Sequence, residues 1–108
     1  MSNPVTVVAV IRARSGKGPA VIDTFREVSP LVHREPGCEL YAAHLEQGGD
    51  TVVMVERWTT RADLEAHSKG AAIARLNELN EGLRAGPAEV LVLDPVPLGD
   101  ERKGALPI

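Results

Sequence analysis

Aromatic residues are scarce in this 108-residue chain: one Phe, one Tyr and one Trp. Cysteine is scarcer still, with Cys38 alone. A lone thiol excludes an intrachain disulfide and any metal site built on several thiolates. A reducing cytoplasm is the simplest home for such a chain. No basic surplus exists either; 12 Lys and Arg stand against 15 Asp and Glu, a formal charge of −3. Binding to nucleic acid by phosphate neutralisation is thereby disfavoured. The longest apolar run, Val7 to Ile11, is far too short to cross a bilayer. The N-terminus has no basic segment followed by an apolar one, so no secretion signal is expected. What remains is an ordinary globular composition, 44% hydrophobic and 25% charged, and a length suited to one domain.

The pattern along the chain predicts six elements. Val5 to Arg14 is rich in Val and Ile and free of Gly and Pro, which reads as a strand. After the Ser15–Gly18 turn, Pro19 suits a first helical position, and Val21, Ile22, Phe25, Val28 and Val32 recur at helical spacing. A helix is expected from Pro19 to about Arg34, interrupted at Pro30 and stopped by Pro36-Gly37. Glu39–Gln47 and Thr51–Thr59 read as strands joined by a Gly48-Gly49-Asp50 hairpin. Thr60 with Asp63 signals a helix start close to a capping box. That helix, Arg61 to Lys69, breaks at Gly70 and resumes with Ile73, Leu76, Leu79 and Leu83. Ala88 to Val96 is the last strand. The order βαββαβ predicts an α+β, ferredoxin-like domain over residues 1–96. It comprises a four-stranded antiparallel sheet with helices on one face, followed by a tail over 97–108.

Both faces of that sheet begin apolar. Val52, Met54, Glu56 and Trp58 alternate with Val53, Val55 and Arg57, and strand one behaves likewise. Burying each such side chain is worth roughly 1.5–3 kcal/mol. A second copy laid over the bare face is the simplest way to recover that energy, so a homodimer with facing sheets is expected. The alternative is a monomer whose tail folds across the sheet.

No familiar cofactor or metal motif is present. Ser15-Gly16-Lys17-Gly18 lacks the spacing of a phosphate loop, and His33, His44 and His67 form no HxH or HExxH pair. Neither a G-x-S-x-G elbow nor a G-x-G-x-x-G fingerprint occurs.

One ordered set of short motifs is more specific. Glu35-Pro36-Gly37-Cys38 leads to Tyr41 and His44; Val55-Glu56-Arg57-Trp58 closes strand three; Leu64-Glu65-Ala66-His67-Ser68 follows on a helix. Over roughly residues 5 to 95 this order resembles the antibiotic biosynthesis monooxygenase family, including the quinol monooxygenases. The resemblance implies a ferredoxin-like fold, a dimer whose sheets form an α/β barrel, and a pocket between sheet and helices. It also implies oxidation of a quinol or polycyclic phenol by O2 without metal, flavin or haem, so no cofactor is expected. Many relatives carry a second His five residues after the helix His, where this chain has Ala72. A haem-degrading branch relies on a strand-one Asn, which is absent here.

Such chemistry needs a base for a substrate hydroxyl, a dry pocket and a surface to hold a ring. His67, on the same helix face as Leu64, is the candidate base; it would otherwise be a structural histidine fixing helix to sheet. Trp58 is the second catalytic candidate, either stacking on a substrate or packing the core. Glu56, on the helix-facing side with Met54, could orient His67, but a buried carboxylate is more simply paired with an Arg or a helix N-terminus. Phe25 would line the pocket or pack the core. Tyr41 and His44 fall on opposite faces of strand two, and His44 is expected to face the helices. His33 reads as a favourable charge at a helix C-terminus, and Cys38 as a small buried residue. Two other readings stay open: a non-enzymatic aromatic-ligand sensor, which Ala72 favours, and an isomerase of the dimeric barrel class.

Overall fold

The computed structural model describes residues 3–107; residues 1, 2 and 108, included in the sequence-based division into domain and tail, lie outside them. The elements are β1 (Val5–Arg12), α1 (Gly18–His33), β2 (Cys38–Leu45), β3 (Thr51–Trp58), α2 (Arg61–Ser68), α3 (Ala71–Leu79) and β4 (Glu89–Leu93). The four strands form one sheet in the order β2-β3-β1-β4 with every neighbour antiparallel. This is the ferredoxin-like βαββαβ arrangement expected from the sequence.

Alternation decides which face is covered. In β1, Val5, Val7, Ala9 and Ile11 are buried; in β3, Val52, Met54, Glu56 and Trp58 are buried. Helix α1 lays Val21, Thr24, Phe25, Val28 and Val32 over them, spaced three or four residues apart as one helical face requires. Pro30 lies on the exposed side, and α1 continues through it to His33 rather than being interrupted. A proline's missing N–H and its clash fall on one turn only, and the packed stripe on either side holds that turn together.

Two junctions place the site. At the β2–β3 hairpin, both Asp50 carboxylate oxygens accept bonds from the Gly16 and Gly18 amides at 2.8 Å, fixing the start of α1 to the hairpin tip. Those bonds hold the Asp50 carboxyl below its usual range. At the other end of α1, Gly37 takes φ +78° and its carbonyl accepts from the Thr59 amide at 2.8 Å. A Cβ on Gly37 would run into the Asp63 carboxyl at the start of α2. Glycine is needed there for both reasons.

Helix α2 starts as the sequence indicated, with the Thr60 hydroxyl accepting from the Asp63 amide at 3.1 Å. Gly70 separates it from α3. Helix α3 ends at Leu79, earlier than the Leu83 repeat suggested, because the chain turns through Gly82 at φ +81°. Leu83 still packs against the core from this turn, its carbonyl accepting from Arg14. Arg84 then forms a bridge with Ala13, extending the sheet beyond the end of β1.

The opposite sheet face carries Val8, Val10, Val53, Val55, Leu40 and Ala42, all only half-buried. Strand β4 is exposed throughout, with Val90 at 56% and Leu91 at 46%. The tail curls so that Val96, Pro97, Ala105 and Leu106 share a shallow depression with Thr6, Arg57 and Leu93 at one corner of that face. Among the described residues no helix is long and apolar enough to cross a membrane.

Candidate active site

All three aromatic residues of the chain converge beneath the helices. Phe25 and Tyr41 lie with ring centroids 6.2 Å apart, Tyr41 meets His67 edge-on at 5.6 Å, and His67 lies over Trp58 at 4.5 Å with the rings 30° apart. Capping at Thr60 sets the phase of α2, and the three-residue step from Leu64 to His67 keeps both inward.

His67 is held by a partner the sequence reading did not assign. Its Nδ1 lies 2.6 Å from Glu35 Oε1, across the Pro36-Gly37 turn. An ionised carboxylate can only accept, so Nδ1 carries the proton and Nε2 is the free basic nitrogen. Nε2 has no partner within the protein, and among the described residues no sealed side-chain polar atom lacks one. Its open side is therefore the cavity that His67 lines.

Glu56 follows neither of the simpler pairings expected of it. Among the described residues it meets no Arg and caps no helix; its Oε1 accepts the Trp58 indole N–H at 3.0 Å. Two residues apart on one strand, the pair points to the same face, which makes this bond local. Burial pushes the Glu56 carboxyl above its ordinary value, the indole bond and nearby His67 pull it back, and Glu35 raises it again. The Tyr41 phenol is pushed far up, by burial first and then by Glu56 and Glu35. It stays protonated and can donate.

Trp58 is fully buried behind Glu56 and His67 and contributes no surface to the cavity. Its ring braces the imidazole from behind. His44 does not face the helices, contrary to the expectation from parity with Leu40 and Ala42. Tyr41 pairs across from Glu56 and shares its buried face, whereas His44 pairs with Val53 and is exposed. His44 does share a face with Leu40 and Ala42, but both faces of β2 carry apolar residues, so alternation alone gave no cue to which one the helices cover. His33 uses its Nε2 on the Tyr41 carbonyl at 3.0 Å, tying the end of α1 to β2. Cys38 is partly buried, its thiol pushed up by burial and then by Glu35 and Glu56.

Tyr41, Glu56 and His67 help to wall a half-open cavity of about 220 Å³. Its surface is mainly apolar, from Val7, Ala9, Phe25, Met54, Leu64 and Leu76 among others. Its polar points include Tyr41, Glu56, His67, Asn80 and Arg84. A dry cavity of about 150 Å³ accommodates benzene, so this one suits a fused bicyclic ring. Among the described residues no group of three or more His, Cys, Asp or Glu is placed to hold a metal ion.

Fold and cavity define a class: a ferredoxin-like α+β domain with an imidazole–carboxylate pair opening into an apolar hollow. Residues 4–79 match the antibiotic biosynthesis monooxygenase family, and the chain belongs to it. It is 34% identical to the probable quinol monooxygenase YgiN of Escherichia coli K12, a match covering 71% of this chain and 85% of that protein. The crystal structure of PA3566 from Pseudomonas aeruginosa superposes with a TM-score of 0.76 at 29% identity, covering 86% of this chain and 94% of that one. Rv0793 from Mycobacterium tuberculosis shares the fold at a TM-score of 0.79 and 23% identity, covering 91% of this chain and 100% of that one.

Proposed function

We propose that the protein is a monooxygenase that oxidises a quinol or polycyclic phenol with O2, without metal, flavin or haem. The observation that carries this reading is His67, with Nδ1 engaged by Glu35 and Nε2 open to an apolar cavity of bicyclic size. Similarity to a probable quinol monooxygenase supports the substrate class.

Nε2 of His67 accepts the hydroxyl proton of the substrate, and Glu35 stabilises the imidazolium that results. The phenolate is electron-rich enough to pass one electron to O2. The radical pair recombines at a ring carbon that bears hydrogen, giving a C–O–O–H group. Cleavage of its O–O bond with loss of water leaves a ring carbonyl. A phenol plus O2 gives a quinone plus water, so atoms and electrons balance with no outside reductant. The apolar walls keep water from the radicals. Trp58 and Glu56 act as positioning residues, one behind the imidazole and the other beside it.

The working unit in this proposal is a homodimer in a reducing cytoplasm. Val8, Val10, Val53 and Val55 form an apolar face that a second copy would cover, and the single free Cys38 needs no oxidising compartment.

Oxygen uptake with reduced menadione and with anthrone tests the activity. His67→Ala should lower kcat/KM by about 10²–10⁴-fold. Glu35→Gln should lower it less and alter the pH profile. Wild-type protein that consumes no oxygen above background refutes the oxygenase reading. Saturable ligand binding without turnover would then identify a sensor, and product formed without oxygen an isomerase.

A further inference from the structure

Asn80 is 2% exposed yet lines the cavity. It follows directly on α3, on the stripe that also carries Ala72 and Leu76, all three buried. Its Oδ1 lies 2.7 Å from the Thr24 hydroxyl of α1. The same hydroxyl lies 2.7 Å from the Val21 carbonyl, and it has one proton to give. With that proton on Asn80 Oδ1, the amide NH2 is turned away from Thr24. The amide nitrogen has no partner within the protein, and no sealed side-chain polar atom lacks one among the described residues. An amide donor is thus open to the hollow, where a ligand oxygen can accept from it. Arg84 lines the same cavity and makes no ion pair among the described residues, which adds a second donor.

The free acceptor lies elsewhere. Nε2 of His67 stands beside Tyr41, whose ring also meets Phe25 of α1. His67 and Asn80 line the same cavity, so one ligand of its size can reach both.

We propose that Asn80, held by Thr24, sets substrate specificity by donating to a second oxygen of an aromatic ligand whose hydroxyl meets His67. Of two aromatics that share the hydroxyl, the one that also carries an acceptor oxygen is therefore preferred. That the ligand is a substrate rests on the oxygenase reading, but the binding preference is measurable without turnover.

The test is calorimetric titration with 2-hydroxy-1,4-naphthoquinone, which has hydroxyl and carbonyl groups, and with 2-naphthol, which has the hydroxyl alone. Wild-type protein should bind the quinone more tightly. Asn80→Ala should weaken quinone binding about tenfold and leave 2-naphthol nearly unchanged. Thr24→Val, close in shape, should weaken quinone binding by about threefold and serves if Asn80→Ala fails to fold. Comparing each ligand across variants removes the difference in ligand acidity. An unchanged ratio of the two affinities overturns the proposal, as does equal loss for both ligands or no binding of either by the wild type. If oxygen uptake is absent but the ratio falls as expected, the oxygenase reading is lost and the Asn80 site stands. If uptake is present and the ratio is unchanged, the reverse holds.

Discussion

Replacing Trp58 by Phe tests the buried polar pair beneath the imidazole. The substitution removes the indole N–H and leaves Glu56 Oε1, 3.0 Å away, without its protein donor. Losing a bond to a buried carboxyl costs about 1.5–3 kcal/mol. The smaller ring also leaves about 40 Å³ unfilled, worth about 1 kcal/mol at about 24 cal/mol per Å³. The expected loss is about 3 kcal/mol, a large share of the 5–15 kcal/mol typical of a domain. It should depend on pH. Burial already raises the Glu56 carboxyl above 4.5 in the folded protein, and the indole bond is the largest influence lowering it. A carboxyl with a raised folded pKa binds more protons folded than unfolded, so its contribution to stability falls as pH rises from about 4.5 through the folded value. Without the indole that window extends upward, and Trp58→Phe should lose more stability at pH 8 than at pH 4. Urea denaturation followed by far-ultraviolet circular dichroism, at one protein concentration throughout, measures this. In a Glu56→Gln background the same Trp58→Phe change should cost about 1–2 kcal/mol less than in the wild type, since a neutral amide tolerates the lost donor better. Equal losses at both pH values, or a coupling below about 0.5 kcal/mol, would refute the reasoning.

Gly37→Ala should destabilise the protein by about 1–3 kcal/mol, because Gly37 has φ +78° and its new Cβ would meet the Asp63 carboxyl; a thermal midpoint unchanged within error would contradict this. Val55→Lys, on the sheet face away from the helices, should convert a dimer to a monomer by light scattering. A wild type that is already monomeric at micromolar concentration would remove the dimer from the proposal.

Long-range pairing separates what could be read in the sequence from what could not. Strand and helix positions were visible because Val-rich runs, the Gly48-Gly49-Asp50 turn and the Thr60 cap are local signals. Met54, Glu56 and Trp58 were rightly assigned to one face, since alternation along a single strand needs no knowledge of its neighbours. His67 was rightly turned inward by its spacing from Leu64. The orientation of β2 was not legible: His44 shares a face with Leu40 and Ala42, but apolar residues occur on both faces and nothing local tells which one the helices cover. Glu35 was visible only as part of a turn; its bond to His67 spans 32 residues and leaves no local trace. Asn80 did carry a signal that was overlooked: a polar residue four positions after Leu76, in line with Ala72, on a stripe otherwise apolar. Thr24 gave the same hint one turn after Val21 on α1.

Strand β4 lies at the sheet edge, five residues long and exposed on both faces. Its outer backbone groups can accept another extended chain, and Leu91, Val92 and Leu93 would make that contact adhesive. Pro95 and Pro97 follow at once, and neither has an N–H to offer a newcomer. Any strand recruited there therefore meets a short ladder that cannot lengthen toward the C-terminus, which limits the protein's propensity to grow into fibrils.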